Sequence, residues 1–551
     1  MKSIKFTFKL IKNNRNNNND NNIRRLHEIC IKKKRNISSS ANRRENEKNV
    51  EYEEAKPYSE IPGPKPLPIP YIGNLWRLLP FARYGKAGFL DMHDLLYEDY
   101  GPIVKFDGLG TISQVYLFDP ESVEKMYRNE SIWPIRMGLP SIQYYREVVR
   151  KDFYQGIAGL ITSNGEEWYK FRKATNQVMM QPKNVKLYLN SVVDVVDDFI
   201  ERIRYIRLPN DEMPDNFLDE INKMSLEAFT FITLDTRLGC LKNNLNPNSE
   251  PDKMITSVRN IINLIFQLDF KPSLWRLYPT KDWKKFVQSM NYCLEFSLKH
   301  INAKWEKIKK GDEETSRSIL ESLLHQTKDP KIPLIMAADT LLAGIDTTSN
   351  TLSTILYYLS QNMKKQEKLF DELKILLPEK NSPFTEDVLN NLKYARAVIK
   401  ESERLNPTSS GNQRVSTKDM VLNNYQIPKG TSLFVCNSVM CKMDKYFKDP
   451  HDFIPERWLK STGNRKADDV DDGGGNNEYK KTHHPFVYLP FGFGQRSCIG
   501  KRFAYLELEV AVAKLVRNFK IGYDHEPMTW VTRLVKVPTK PLKFKMTERT
   551  E

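Results

Sequence analysis

Apolar residues recur at helical spacing over residues 185–205, 217–231, 254–268, 286–309, 334–362, 389–405 and 502–519. Strand-like runs are short. They cover residues 104–106, 115–118 and 432–435, the last following the turn Pro428-Lys429-Gly430. The pattern predicts a mainly helical body with small β-sheets. Residues 56–70 hold six prolines, which lack backbone donors, so neither a helix nor a central strand is expected to form there. A stiff boundary is expected over residues 51–70, with one large domain over 71–551, where the chain turns apolar. The acidic and glycine-rich stretch 460–484 reads as an exposed loop inside that domain.

With 551 residues, 40% hydrophobic and 11% aromatic, the chain can bury a large core, and wholesale disorder is excluded. Six cysteines lie far apart without a short repeated spacing. That argues against a disulfide framework and a zinc module, and a reducing compartment fits. Of the net charge of +16, +10 falls in residues 1–50, so the body is only mildly basic.

The first eleven residues carry Ile4, Phe6, Phe8, Leu10 and Ile11 broken by Lys2, Lys5 and Lys9. This is too short and too interrupted for a membrane span or a secretory signal core. A basic, Ser-containing and acid-poor leader over 1–50 resembles a mitochondrial presequence, although the Asn-rich run 13–22 dilutes its amphipathic pattern. A basic tail could also meet nucleic acid. Aromatics are absent from 15–49, which disfavours that reading, and no nucleic-acid partner is expected.

The most informative segment is Phe491-Gly492-Phe493-Gly494-Gln495-Arg496-Ser497-Cys498-Ile499-Gly500, which runs into a helix near Lys501. Glycines at 492, 494 and 500 permit tight backbone paths around a cysteine at a helix N-terminus, where free N–H groups favour a thiolate. A thiolate held there is a good axial ligand to iron, and Phe491 can shield its sulfur from water.

The pattern filled by Phe491, Gly494, Arg496, Cys498 and Gly500 resembles the heme-binding signature of the cytochrome P-450 monooxygenases. Four further patterns follow the family's order: Trp168 with Arg172, the stretch Ala343-Gly344-Ile345-Asp346-Thr347, the pair Glu401 and Arg404, and Pro455-Glu456-Arg457-Trp458. The resemblance implies the P-450 fold, a single large catalytic domain, and heme b as cofactor with Cys498 as its metal ligand. Trp168, Arg172, Arg414 and Arg496 would meet the heme propionates. Ala343 and Gly344 would leave room for a flat cofactor or dioxygen, Thr347 would orient water and Asp346 would feed protons. Glu401, Arg404 and Arg457 would be structural, holding the loop that carries the cysteine.

Arg396 and Lys400, four apart on one helix, can present positive charge to an acidic protein. Residues 225–240 resemble the family's animal mitochondrial branch, which implies an adrenodoxin-type ferredoxin with its reductase at that face. It also implies a mitochondrial address at the matrix face of the inner membrane, with peripheral membrane association. Residues 405–414 look arthropod-like, and the expected substrate is a sterol or ecdysteroid-type lipid, with pocket residues from 131–145, 163–164 and 409–412. A xenobiotic-oxidising monooxygenase, or a heme-thiolate isomerase or binding protein that does not cleave dioxygen, are the alternatives. Glu403 departs from the family, where leucine is frequent.

Overall fold

The computed structural model describes residues 50–65, 73–79, 81–87, 91–108, 113–246, 248–271, 273–310, 319–327, 330–459 and 483–550. The leader 1–49 and nearly all of the 460–484 loop lie outside the described residues, as do residues 66–70 of the proline-rich segment.

The chain divides into two compact units. The smaller takes residues 418–428 together with the N-terminal stretch through Ile61. Among its described residues, strands β4 (Met420–Leu422) and β5 (Tyr425–Ile427) form an antiparallel hairpin. Lys56 pairs with Tyr425, and its N–H donates to the Asn424 carbonyl. Prolines do not exclude all local structure here, because a three-residue 3-10 turn at Tyr58–Glu60 follows Pro57. Such a turn needs no donor from the residue before it.

The larger unit carries every described residue assigned to the site. Its helices include α1 (Gly165–Met179), α2 (Leu189–Ile206), α3 (Phe217–Leu234), α4 (Glu250–Ile265), α5 (Lys281–Lys309), α6 (Lys331–Gln361), α7 (Lys393–Leu405) and α8 (Lys501–Asn518). A π-turn, Phe266–Phe270, extends the α4 segment as the periodicity foresees. The single helix expected over 389–405 breaks at Leu392, whose φ of −68° and ψ of 71° leave the helical region.

A four-stranded sheet is ordered β1-β2-β6-β3, from β1 (Ile103–Asp107), β2 (Ser113–Leu117), β3 (Asn412–Val415) and β6 (Ser432–Val435). The β2–β6 pair is parallel and the other two are antiparallel. Two antiparallel pairs complete the unit: β7 (Phe519–Gly522) with β10 (Lys545–Glu548), and β8 (Trp530–Thr532) with β9 (Lys536–Pro538).

One large apolar cluster joins the helices, including Phe199, Phe217, Leu342, Ile355, Val398 and Phe503. A smaller one, with Leu96, Val104, Tyr116 and Phe118, lies against the sheet. Helix α6 crosses the larger core and is buried along most of its length. Its proline, Pro333, falls in the first turn, where a missing N–H costs no intrahelical bond. This long, rigid element therefore brings residues 343–347 into the interior.

Candidate active site

Cys498 follows a loop whose shape depends on two glycines: Gly492 and Gly494 have φ of 70° and 73°, a region that disfavours side chains. The Cys498 N–H donates to the Phe491 carbonyl at 2.9 Å, closing the loop just before α8. Gly500 has an ordinary φ of −83°, so left-handed freedom is not its role; its N–H and that of Lys501 are donated to the Cys498 sulfur. Cys498 is exposed, whereas Cys240, Cys293, Cys436 and Cys441 are buried.

The accessible sulfur still lies deep enough that loss of bulk hydration pushes its thiol above the usual range. The two N–H donors and the charges of Arg172 and Lys501 oppose this shift. The expected preference for thiolate is thus corrected: helix-terminal donors do not outweigh desolvation in the protein alone. A bound metal ion would supply the missing stabilisation.

Positive charge converges beside the sulfur. Arg496 lies with its guanidinium carbon 4.1 Å over the Trp168 ring. It donates to the Ser163 carbonyl at 2.7 Å and to Asn164 Oδ1 at 2.6 Å, and its Nη1 is buried without a partner. Arg172, one helical turn after Trp168 on α1, bonds Asn176 Oδ1 at 3.2 Å. Arg414 on β3 pairs with Glu130 and reaches the Phe493 carbonyl at 3.3 Å.

Sequence reading missed a fourth cation. Arg136 donates to the Leu160 and Ile161 carbonyls at 3.2 and 3.0 Å. It falls in the stretch expected to line the substrate pocket, and Ser163 and Asn164, assigned there too, instead receive Arg136 or Arg496. Spacing cannot reveal this, since residues 136, 172, 414 and 496 come from four separate segments. Burial followed by mutual repulsion lowers Arg496 to about 8; burial chiefly lowers Arg136 and Arg172 to about 10 each.

Glu130, paired with Arg414, faces this cluster, and burial raises its own pKa; Asp339, already paired with Arg146, also acts on Arg136. Buried guanidiniums in excess of carboxylates, one with an unpartnered N–H, suit a ligand bearing anionic oxygens. Together with the accessible cysteine, this donor set fits heme, which carries an iron for the sulfur and two propionates for the arginines.

On α6 the expected residues separate by face. Ala343 is exposed amid a buried helix, consistent with an open wall. Gly344 does not share that wall: a Cβ there would lie 2.6 Å from the Phe229 ring, so the missing side chain admits α3 rather than a cofactor. The Thr347 hydroxyl donates back to the Ala343 carbonyl at 2.7 Å, which occupies its proton within the helix. Asp346 lines a cavity of about 10 Å³ with Asn222, Leu226 and Arg259. That is room for about one water. The Asn222 Oδ1 there has no partner. Burial raises the Asp346 carboxyl to about 6, with Arg259 opposing the shift.

Glu401 and Arg404 on α7 are fully buried and bonded at 2.8 and 2.9 Å. Arg457 joins Glu401 at 3.0 Å, and Trp458 donates to it at 2.8 Å. The free guanidinium edges of Arg404 and Arg457 take carbonyls of Cys441, Lys448, Asp449, Pro450 and Asp452. The network therefore braces residues 441–458 directly and reaches the segment before the cysteine loop through Trp458, whose ring lies 4.7 Å from that of Tyr488, and through Cys441, whose thiol lies 3.4 Å from the Val487 carbonyl.

The two expected docking cations differ. Arg396 is held by Glu509 at 2.9 Å and by the Leu389 carbonyl, so its charge is largely satisfied within the fold. Lys400 lies 5.8 Å over the Trp458 ring. A groove of about 520 Å³ lined by Val149, Trp283, Val287, Asn291 and Tyr292 shares no residue with this site.

The cytochrome P450 family model matches residues 62–546. Curated relatives include "Probable cytochrome P450 301a1, mitochondrial" of Drosophila melanogaster, 37% identical over 502 residues covering 90% of this chain and 88% of the relative. Cytochrome P450 CYP12A2 of Musca domestica is 38% identical over 509 residues, covering 90% of this chain and 92% of its own length. "Probable cytochrome P450 12c1, mitochondrial" of Drosophila melanogaster is 39% identical over 509 residues, with 90% and 93% covered. This chain belongs to the cytochrome P450 family and is a monooxygenase whose cofactor is heme b.

Proposed function

We propose that this monooxygenase hydroxylates a hydrophobic sterol or ecdysteroid-type lipid in the mitochondrion, drawing electrons from an acidic ferredoxin and its reductase. The observation that carries the site assignment is the convergence of Arg136, Arg172, Arg414 and Arg496 beside the accessible Cys498. Heme, when bound, activates dioxygen and inserts one oxygen atom into a C–H bond, the other leaving as water with two electrons and two protons.

In this reading Cys498 holds the iron and the four arginines, with Trp168 stacked on Arg496, hold the propionates. Ala343 leaves the distal face of α6 open. Asp346 holds the proton to be delivered, at a carboxyl kept half-neutral near pH 6 by burial, and takes it from water in the Asn222 cavity. Thr347 orients water once its hydroxyl turns from the Ala343 carbonyl. Glu401, Arg404 and Arg457 are structural.

The mitochondrial and ferredoxin readings draw support from the basic leader 1–50, from the printed names of two relatives and from Lys400 near Trp458. The substrate class rests on the arthropod-like segment 405–414, and two of the relatives come from Drosophila. Peripheral membrane contact is supported by the segment after α4, where Leu274, Leu277 and Tyr278 are exposed beside Lys271, Arg276 and Lys281. Among the described residues no helix is long and apolar enough to cross a membrane.

The test is reconstitution of heme-loaded protein with ferredoxin, reductase and dioxygen against a panel of sterols, reading spin-state shifts and products. Hydroxylated product that requires all three components supports the proposal; product formation indifferent to oxygen would overturn it.

A further inference from the structure

One buried carboxyl has no part in the chemistry above. Glu403 lies on α7 between Glu401 and Arg404, two residues from Glu401 and so on a different helix face. It accepts the Tyr488 hydroxyl at 2.8 Å and the Tyr505 hydroxyl at 3.2 Å. Tyr505 stands on α8, and its ring tilts against Phe491 with centroids 4.9 Å apart. The Phe491 carbonyl is the one that receives the Cys498 N–H. The Lys501 ammonium lies 5.8 and 5.9 Å over the Phe491 and Tyr505 rings, capping the pair. On the other side Tyr488 meets Trp458, which is tied to Glu401. Glu403 is thus the polar centre of an aromatic wall that joins α7, α8 and the cysteine loop.

We propose that Glu403 is a positioning residue for the cysteine loop, holding Tyr488 and Tyr505 so that the Phe491 wall fixes the backbone carrying Cys498. This rests on the reading of Cys498 as the iron ligand. An apolar side chain at 403 would remove the carboxylate that accepts both buried phenols, leaving each without that acceptor unless its ring moves to a new partner. Ring movement would release Phe491, and with it the loop.

The same geometry couples the site to pH. The groups facing Glu403 are Tyr488 from the segment before the loop, Tyr505 and Lys501 from α8, and Lys400 from its own helix. Burial raises its carboxyl to about 7, the tyrosine hydroxyls and lysines opposing. Were an iron held at Cys498 to take up an electron, the added negative charge would tighten proton binding at Glu403, and the midpoint potential of the loaded protein would fall as pH rises through about 7.

The experiment compares heme-loaded wild type with Glu403→Leu, Glu403→Gln, Tyr505→Phe and Cys498→Ala. It reads the reduced carbon-monoxide band of thiolate-ligated heme, its rate of loss, and the midpoint potential from pH 6 to 8. Expected are faster loss of the band in Glu403→Leu, a smaller change in Tyr505→Phe, and in Glu403→Gln a retained band with the pH slope gone. A band as durable as wild type in both Glu403→Leu and Tyr505→Phe overturns the proposal while leaving Cys498 in place. If Cys498→Ala keeps the wild-type spectrum, the ligand assignment falls and this role falls with it. Should Glu403→Leu fail to fold, the other two Glu403 and Tyr505 variants decide the matter.

Discussion

Arg496 stacks on Trp168 with its guanidinium carbon 4.1 Å from the ring, and one nitrogen of that guanidinium is buried without a partner. The stack fixes the plane of the cation and leaves that nitrogen able to donate to an anionic group. Removing the charge with Arg496→Leu should weaken heme retention roughly ten- to a hundredfold, the equivalent of about 1.5–3 kcal/mol for bonds to charged groups. Heme transfer to an acceptor protein measures it. Retention unchanged from wild type would remove Arg496 from the propionate set.

A buried ion pair lies deeper. Arg146 and Asp339 are both buried and bonded, and Asp339 also takes the Leu160 N–H at 2.6 Å, which ties α6 to the segment ahead of α1. Arg146→Met strands a carboxylate in the core, so it should cost about 3–5 kcal/mol in urea unfolding. The double variant Arg146→Met with Asp339→Leu should recover part of that loss; no recovery would mean that the backbone bond to Leu160 carries the effect.

Stability should depend on pH through Glu507. It is fully buried on α8, its partner is the Ser225 hydroxyl, and burial raises its carboxyl from 4.5 to about 8. The neutral form suits the fold, so its contribution is complete below about pH 4.5 and is lost as pH rises through about 8. Calorimetric melting should fall between pH 5 and 8, and Glu507→Gln should flatten that slope. An equal slope in the variant would assign it to other groups.

Turnover should follow Asp346. With its carboxyl raised to about 6, the proton-loaded form dwindles above that pH, and the wild-type rate should decline there. Asp346→Asn should lose about a hundredfold in turnover and show no such decline. Steady-state rates from pH 5 to 8, with the heme spectrum as a folding control, check both points; a variant with wild-type turnover would exclude the carboxyl from proton delivery.

Periodicity alone located α2, α3, α5, α6 and α8 to within a few residues, because long stretches rich in apolar residues at helical spacing stand out even where, as in α6 and α8, the helix is buried on most sides. The break at Leu392 was invisible, since the residues on either side keep the apolar repeat while a single ψ changes. The three-residue strands β8 and β9 were likewise illegible, being too short to show alternation.

The sequence by itself determined the family and the cysteine loop, because Gly492, Gly494, Arg496 and Cys498 lie within seven consecutive positions and a local turn needs no distant partner. Only the tertiary structure decided what lies across from each residue. It set Gly344 against Phe229, gave Arg396 to Glu509, brought Arg136 beside Arg496, and made Glu403 an acceptor for two tyrosines. Those outcomes depend on burial and charge contributed by elements far apart in the chain, and no spacing along the sequence records them.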